Sequence, residues 1–180
     1  QEGISFDDLD STKKDWVCRL IRFSPKLSSI CANRPIYLSS LLKEGALEET
    51  VNRKTLIRRL DEVIEESEDP EVAIRRFHRQ HIIRIAMRDL CDIVDIAVIT
   101  QELSHLADVI VTAVYNLFWE QLTGEYGIPY SKTHEDAAYM TVIALGKHGG
   151  EELNFSSDID LMFVYDYDGV TEGDANGIEN

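Results

Sequence analysis

The sequence predicts a mainly α fold with a small α/β part, on three observations. Apolar residues recur at steps of three and four through most of residues 13–126, the spacing that lays a stripe along one helix face. Two runs rich in β-forming residues, 139–145 and 159–165, come after them,. Between these runs lies Gly146-Lys147-His148-Gly149-Gly150, a stretch that turns the chain instead of extending either element. With 180 residues, 44% of them hydrophobic, the chain can bury a sizeable core as one good-sized domain or two small ones. The division read from the pattern is a helical region over 1–130 and the first part of an α/β core over 131–180.

The elements follow in order. Pro25 and Pro35 break the first forty residues into short helices, because proline starts a helix readily and cannot continue one. Residues 51–66 form a helix with Leu56, Leu60, Val63 and Ile64 along one side,. Asp69-Pro70 opens the next helix, which runs to about Leu90,. The longest helix has Thr100 as its expected N-cap and carries Leu103, Leu106, Ala107, Ile110, Val114, Leu117, Phe118 and Leu122 on its apolar face,. It is expected to stop near 124–127, where Gly124 and Gly127 stand ahead of Pro129,. Residues 130–136 then lead into the strands.

The chemistry sits around the glycines. Alternate strand side chains share a face, so Asp158 and Asp160 are expected to project together. Two carboxylates that close repel unless a cation lies between them, and Mg²⁺, which takes one or two carboxylates plus phosphate oxygens and water, suits that place. Gly146, Gly149 and Gly150 leave backbone N–H groups unshielded by a Cβ, so a phosphate can come close, with a short helix expected to begin near Gly150 and Glu151. Taken separately, the glycines also suit a plain tight turn and the aspartates a solvated strand end. Strand, turn and acidic strand in this order favour the phosphate-and-metal reading.

The stretch "ALGKHGGEELNFSSDIDLMFVYD" resembles the signature of the nucleotidyltransferase superfamily that includes DNA polymerase β, a glycine turn followed about ten residues later by Asp-x-Asp on the next strand. More narrowly, it is similar to the signature of bacterial glutamine synthetase adenylyltransferase, the bifunctional enzyme that attaches AMP to glutamine synthetase and removes it. "FSPKLSSICANRPIYLSSLL" (23–42), "FHRQHIIRIAMRDL" (77–90) and "ITQELSHLADVIVTAVYNLFWEQLTGEYGIP" (99–129) resemble that family's helical segments. The opening and "QELSHLAD" look more like the N-terminal, adenylyl-removing half than the ATP-dependent adding half; a non-catalytic docking module that keeps the motif is the remaining alternative.

The resemblance implies a polymerase-β-like sheet, incomplete in this chain, with Asp158 and Asp160 as catalytic and metal-holding residues. It implies Gly146, Lys147, Gly149, Gly150 and Ser157 around the nucleotide, Mg²⁺ and ATP or ADP as cofactors, and glutamine synthetase and a PII-type nitrogen-signalling regulator as partners. In that family a third carboxylate lies on a later strand, and Asp166 and Asp168 come too early to replace it. The expectation is therefore a fragment of a longer enzyme, inactive by itself.

Composition bounds the rest. Net charge is −15, and residues 151–180 hold nine Asp or Glu and no Lys or Arg, which argues against nucleic acid as a partner. The acidic, glycine-containing tail with Glu172, Asp174 and Glu179 reads as solvated surface. Cys18, Cys31 and Cys91 lack metal-binding spacing and read as reduced core thiols of a cytoplasmic protein,. The most apolar segment, 93–122, is broken by Asp95, Glu102 and Asp108 and is expected not to span a membrane,. Arg75, Arg76, Arg79, Arg84 and Arg88 make a basic stripe, expected to be a solvated face with acidic partners and alternatively a docking surface. His78 and His81 lack a third metal ligand in register. His148 is either a donor to phosphate or an idle loop-tip residue. Ser156 and Ser157 are expected to shape the turn and bond to the aspartates, since no base stands beside them.

Overall fold

The computed structural model describes residues 5–131, 137–171 and 173. The expectations for Glu172, Asp174, Glu179 and most of the 130–136 connection lie outside the described residues. After a single 3₁₀ turn, three short helices follow, α1 (Ser11–Phe23), α2 (Pro25–Asn33) and α3 (Pro35–Leu41). Pro25 and Pro35 occupy the first turns of α2 and α3, as the sequence indicates,. Then come α4 (Arg53–Glu65), α5 (Pro70–Leu90) and α6 (Ile96–Tyr126), and last β1 (Met140–Leu145), α7 (Gly146–Gly149) and β2 (Asp160–Tyr165). This is the mainly α fold with a small α/β part that the pattern predicts.

Helix starts are chemically explicit. Asp10, Asn52 and Asp69 each accept a hydrogen bond from the backbone N–H three residues on, at 2.8, 2.9 and 2.9 Å, so each satisfies a donor the helix itself cannot. The expected cap of α6 is displaced. The helix begins at Ile96 with Asp95 as N-cap, and Thr100 lies inside it, its hydroxyl donating to Ala97 O at 3.1 Å. Gly127, at φ 85°, ends α6 in a backbone conformation glycine tolerates best,.

Helix α5 is the centre of the helical part, with ten of its 21 residues buried. One side contributes Ile74, Phe77 and Ile85 to a core with Leu56 and Leu60 of α4 and Ile99, Leu103, Leu106 and Val109 of α6. Its other side gives Ile83 and Met87 to a second core with Leu20, Cys31, Tyr37, Leu41 and Leu47. Each such side chain contributes about 1.5–3 kcal/mol by leaving water. By length and composition α6 is long and apolar enough to cross a membrane, yet the apolar side of its first half is taken up by the α4–α5 core. Its second half departs from the expected buried stripe: Val114, Phe118 and Leu122 are exposed, whereas Ala113 and Leu117 still pack against the α4–α5 core. Cys18 is likewise exposed and not a core thiol, whereas Cys31 is buried.

The basic stripe of α5 is split by the fold. Arg75, Arg76 and Arg79 are exposed, but Arg84 and Arg88 are buried at 5% and 1% exposure, so the expectation of a solvated face fails for these two. Both surround the buried carboxylate of Glu102 on α6, Arg84 Nη1 and Arg88 Nε each lying 3.3 Å from Oε2. Other donors of the two hold the backbone that joins α3 to α4: Arg84 Nη2 donates to Glu49 O, and Arg88 Nη1 to Leu47 O and Glu49 O. Burial pulls the Arg84 guanidinium below its ordinary pKa, opposed chiefly by Glu102,.

The two-stranded sheet is antiparallel, with Met140 opposite Tyr165, Val142 opposite Phe163, Ala144 opposite Leu161 and Leu145 opposite Asp160. Alternate β1 residues, Met140, Val142 and Ala144, are half-buried and lie over α6. Tyr115 of α6 donates to Met140 O at 3.0 Å, and Trp119 stacks between Tyr115 and Tyr139.

Two stability predictions follow from these burials. Glu102→Ala leaves two buried guanidinium groups uncompensated and is expected to cost about 3–5 kcal/mol, read by urea unfolding; a loss under 1 kcal/mol, about the scale of an exposed ion pair, would remove the network's structural role. His81 is buried beside Phe77, ring centroids 4.3 Å apart, while its supposed metal companion His78 is exposed. Burial, reinforced by Arg84 and Arg59, lowers the His81 pKa from 6.5 to about 4. Above pH 6.5 the ring is neutral whether folded or not, and the full stability is present. Between pH 6.5 and about 4 the unfolded chain takes up a proton that the folded chain refuses, so stability falls with pH by up to about 3 kcal/mol. Unfolding curves of His81→Leu across this range should lack that component.

Candidate active site

The glycine turn is itself a helical turn. β1 ends at Leu145, α7 occupies Gly146–Gly149, and Gly150 is its C-cap; the short helix does not begin at Gly150 and Glu151 as expected. The reason lies in the hydrogen bonds. Gly150 N–H donates to Gly146 O at 3.1 Å, Glu151 N–H to His148 O at 3.1 Å and Glu152 N–H to Lys147 O at 2.8 Å. Gly150 N–H is thus engaged within the turn, and the N–H groups without a helical partner are those of the first turn, 146–148.

Two of the three glycines are required by their surroundings. Gly146 has φ +55°, and a Cβ there would lie 3.0 Å from Asp160 Oδ2. A Cβ on Gly149 would lie 2.4 Å from Ala144 O, so this glycine lets the turn fold back onto β1. At Gly150 the nearest atom to a Cβ would be 3.6 Å away, and φ is −87°; packing does not demand glycine there.

Sheet register brings Asp160 to the turn. As the first residue of β2 it pairs with Leu145, the last of β1, so its carboxylate lies directly beside Gly146. Asp158 precedes the strand, in the irregular stretch leading to it, and both aspartates are exposed. Lys147 is exposed on the turn. Ser157 Oγ donates to Asn154 Oδ1 at 2.9 Å, and Ser156 N–H donates to the same oxygen at 3.0 Å. The serines therefore shape the turn through Asn154, which replaces the bonds to the aspartates that the sequence suggested.

The seating of the turn on α6 is not among the expectations drawn from the sequence. His148 is 4% exposed and its Nε2 lies 2.9 Å from Asp108 Oδ1, so the ring faces the helix and neither idles at a loop tip nor reaches for phosphate. Arg53 at the start of α4 lies 3.5 Å from the other Asp108 oxygen. One turn earlier, Ser104 Oγ accepts from Leu153 N–H at 3.2 Å and donates to Thr100 O at 2.9 Å. Gln101 Nε2 donates to Glu151 Oε2 at 3.3 Å, and His105 Nε2 stands 3.8 Å from Glu151 Oε1. The available signal was a polar pair, Ser104 and Asp108, four residues apart within an apolar helix pattern.

Strand, glycine turn and acidic strand thus follow one another in the order the sequence resemblance implies, and they are seated on a long helix. A family model described as glutamate-ammonia ligase adenylyltransferase matches residues 15–180, and the chain belongs to that family. It is 33% identical over 165 residues to a bifunctional glutamine synthetase adenylyltransferase/adenylyl-removing enzyme of Methylococcus capsulatus, covering 86% of this chain and 17% of the relative. Proteins of the same description from Burkholderia pseudomallei, 34% identical over 163 residues, and Alteromonas mediterranea, 35% over 119, cover 87% and 66% of this chain. The chain spans 17% of the first of these relatives, 17% of the second and 12% of the third.

The glycines predict separable outcomes. Gly149→Ala, forced against Ala144 O, should lower stability by about 1–3 kcal/mol. Gly150→Ala, whose Cβ would meet its neighbours at no closer than 3.6 Å, should stay within about 0.5 kcal/mol of the parent chain. Thermal unfolding of the two variants tests this, and equal losses would contradict the assigned close approach at Gly149.

Proposed function

We propose that the chain is the helical lead-in and first catalytic strands of a longer enzyme that removes AMP from glutamine synthetase. Inorganic phosphate attacks the phosphorus of the AMP attached to a tyrosine of the partner. The phosphorus–tyrosine oxygen bond breaks, the tyrosine oxygen recovers a proton, and ADP leaves. The observation that carries this reading is Asp160 against Gly146, an exposed carboxylate delivered by register to the edge of a helical glycine turn. The choice of the removing half rests on the resemblance of the "QELSHLAD" stretch; its Gln101, Ser104, His105 and Asp108 contact the turn and the residues just after it.

The donor set fits Mg²⁺. Asp158 and Asp160 are exposed carboxylates, and among the described residues no cluster of three metal-ligating side chains surrounds them, which suits an ion that keeps water and substrate phosphates as its other ligands. Mg²⁺ bound there would neutralise charge on the reacting phosphates. The chain's own part is to fix the Asp160 carboxylate beside the turn, with Asp158 two residues before it, to offer the first-turn N–H groups of 146–148 to phosphate, and to set the Lys147 ammonium at its rim,. Gly150 contributes room, since its N–H is engaged. A PII-type regulator and a cytoplasmic setting belong to the same reading.

In the full-length enzyme, Asp160→Asn and Asp158→Asn should each lower phosphate-dependent ADP release from adenylylated glutamine synthetase by at least about 100-fold, with the fold intact because both residues are exposed. Release that survives the double variant would sink the catalytic assignment. Loss of ATP-dependent AMP addition with release untouched would move the chain to the other half of the enzyme.

A further inference from the structure

A hollow of about 310 Å³ lies where α6 meets the chain leaving β2, with Trp119, Tyr139, Tyr165, Tyr167 and Asp168 among its lining. Met140 and Tyr165 pair at one end of the sheet and Leu145 and Asp160 at the other, so about 16 Å of strand separates the hollow from the glycine turn. It has no part in the chemistry above and does not depend on it. We infer that the hollow binds the methylated ammonium head of a small organic cation, on its aromatic faces and beside the Asp168 carboxylate.

The rings are the first argument. Trp119 and Tyr139 stand with centroids 6.0 Å apart and planes 23° from parallel, an offset stack that leaves part of each face uncovered. Tyr139 and Tyr165 are 58% and 61% exposed, so a ligand in solvent can reach them. An aromatic face is the negative side of the ring quadrupole and attracts a cation. Large exposed aromatics gathered at one place, unlike single exposed side chains, mark a surface with an occupant.

Charge is the second. Asp168 is the sole charged side chain among the described lining residues, and Tyr165 Oη donates to its Oδ1 at 3.2 Å. Residues 151–180 hold nine Asp or Glu and no Lys or Arg, so the local field favours a cation and opposes a phosphate or carboxylate ligand. Head-group chemistry is the third. A primary ammonium or a guanidinium brings several N–H donors that need acceptors, whereas the lining is mostly aromatic and apolar with one carboxylate. A methylated ammonium makes fewer such demands and presents apolar methyl groups to the rings. The volume, at the small end of ligand pockets, limits the occupant to a compact molecule.

The chain has two tryptophans, so the ¹⁵N-labelled 180-residue chain gives two indole N–H resonances, and Trp16→Phe identifies that of Trp119. This resonance is followed during titration with choline, with its uncharged isostere 3,3-dimethylbutanol, and with sodium chloride at matched ionic strength. Choline is expected to shift it saturably with Kd of about 1 mM or below, and the isostere to bind at least about tenfold more weakly. Tyr139→Leu should weaken choline binding at least about tenfold, and Asp168→Asn, which leaves every ring in place, at least about threefold. Equal affinity for the isostere would mean an apolar hollow that does not select charge, and would overturn the proposal. A choline response no larger than that to salt, or binding undiminished in either folded variant, would do the same.

Discussion

The buried carboxylate of Glu102 fixes how α5 and α6 lie against each other, and every later placement depends on it. Apolar contacts alone allow neighbouring helices to slide, because one leucine fits nearly as well as the next. A carboxylate between two guanidinium groups does not, since displacement strands buried charge. The same arginines reach past Glu102 to the carbonyls of Leu47 and Glu49, so the segment joining α3 to α4 is held by the device that sets the helix pair.

From that fixed point the active-site corner follows by helical geometry. Ser104 and Asp108 lie two and six residues beyond Glu102, and they are the α6 residues that receive Leu153 N–H and His148. Asp108 also meets Arg53, so α4, α6 and α7 converge on one carboxylate. A four-residue helix has too few internal hydrogen bonds to persist alone. Its conformation is imposed by β1 before it, by α6 beneath it and by the close approach of Gly149 to Ala144 O.

What was legible in the sequence was whatever depends on neighbours along the chain. The two strands, the proline-started helices, the helix opening at Asp69-Pro70 and the end of α6 are local matters, and β-propensity, fixed φ and orphan N–H groups decide them. The pairing of Asp160 with the turn was legible as well, since an antiparallel return places the start of β2 opposite the end of β1. Arg84 and Arg88 were misjudged because arginine is ordinarily a surface residue, and only Glu102, 18 and 14 positions away, makes their burial tolerable,. His148 was misjudged for a related reason: its glycine neighbours suggest an open loop, and nothing local reveals a helix passing underneath. The exposed stripe Val114, Phe118 and Leu122 shows the converse, an apolar periodicity that predicts a helix without saying where its packing partners stop.

Anchorage and chemistry fall on opposite sides of the small sheet. Residues paired across the strands share a face, so Met140, Val142 and Ala144 with Tyr165, Phe163 and Leu161 form the face toward α6,. Thr141, Ile143 and Leu145 with Val164, Met162 and Asp160 form the other. His148 fastens the turn from the α6 side, while Asp160 reaches Gly146 from the far side, at the end of a row that includes exposed Ile143 and Met162. The groups that hold the turn therefore do not compete for the space in which phosphate would lie. A turn held on one side by His148 and met on the other by Asp160 has its geometry set by the protein itself, before any ligand arrives,.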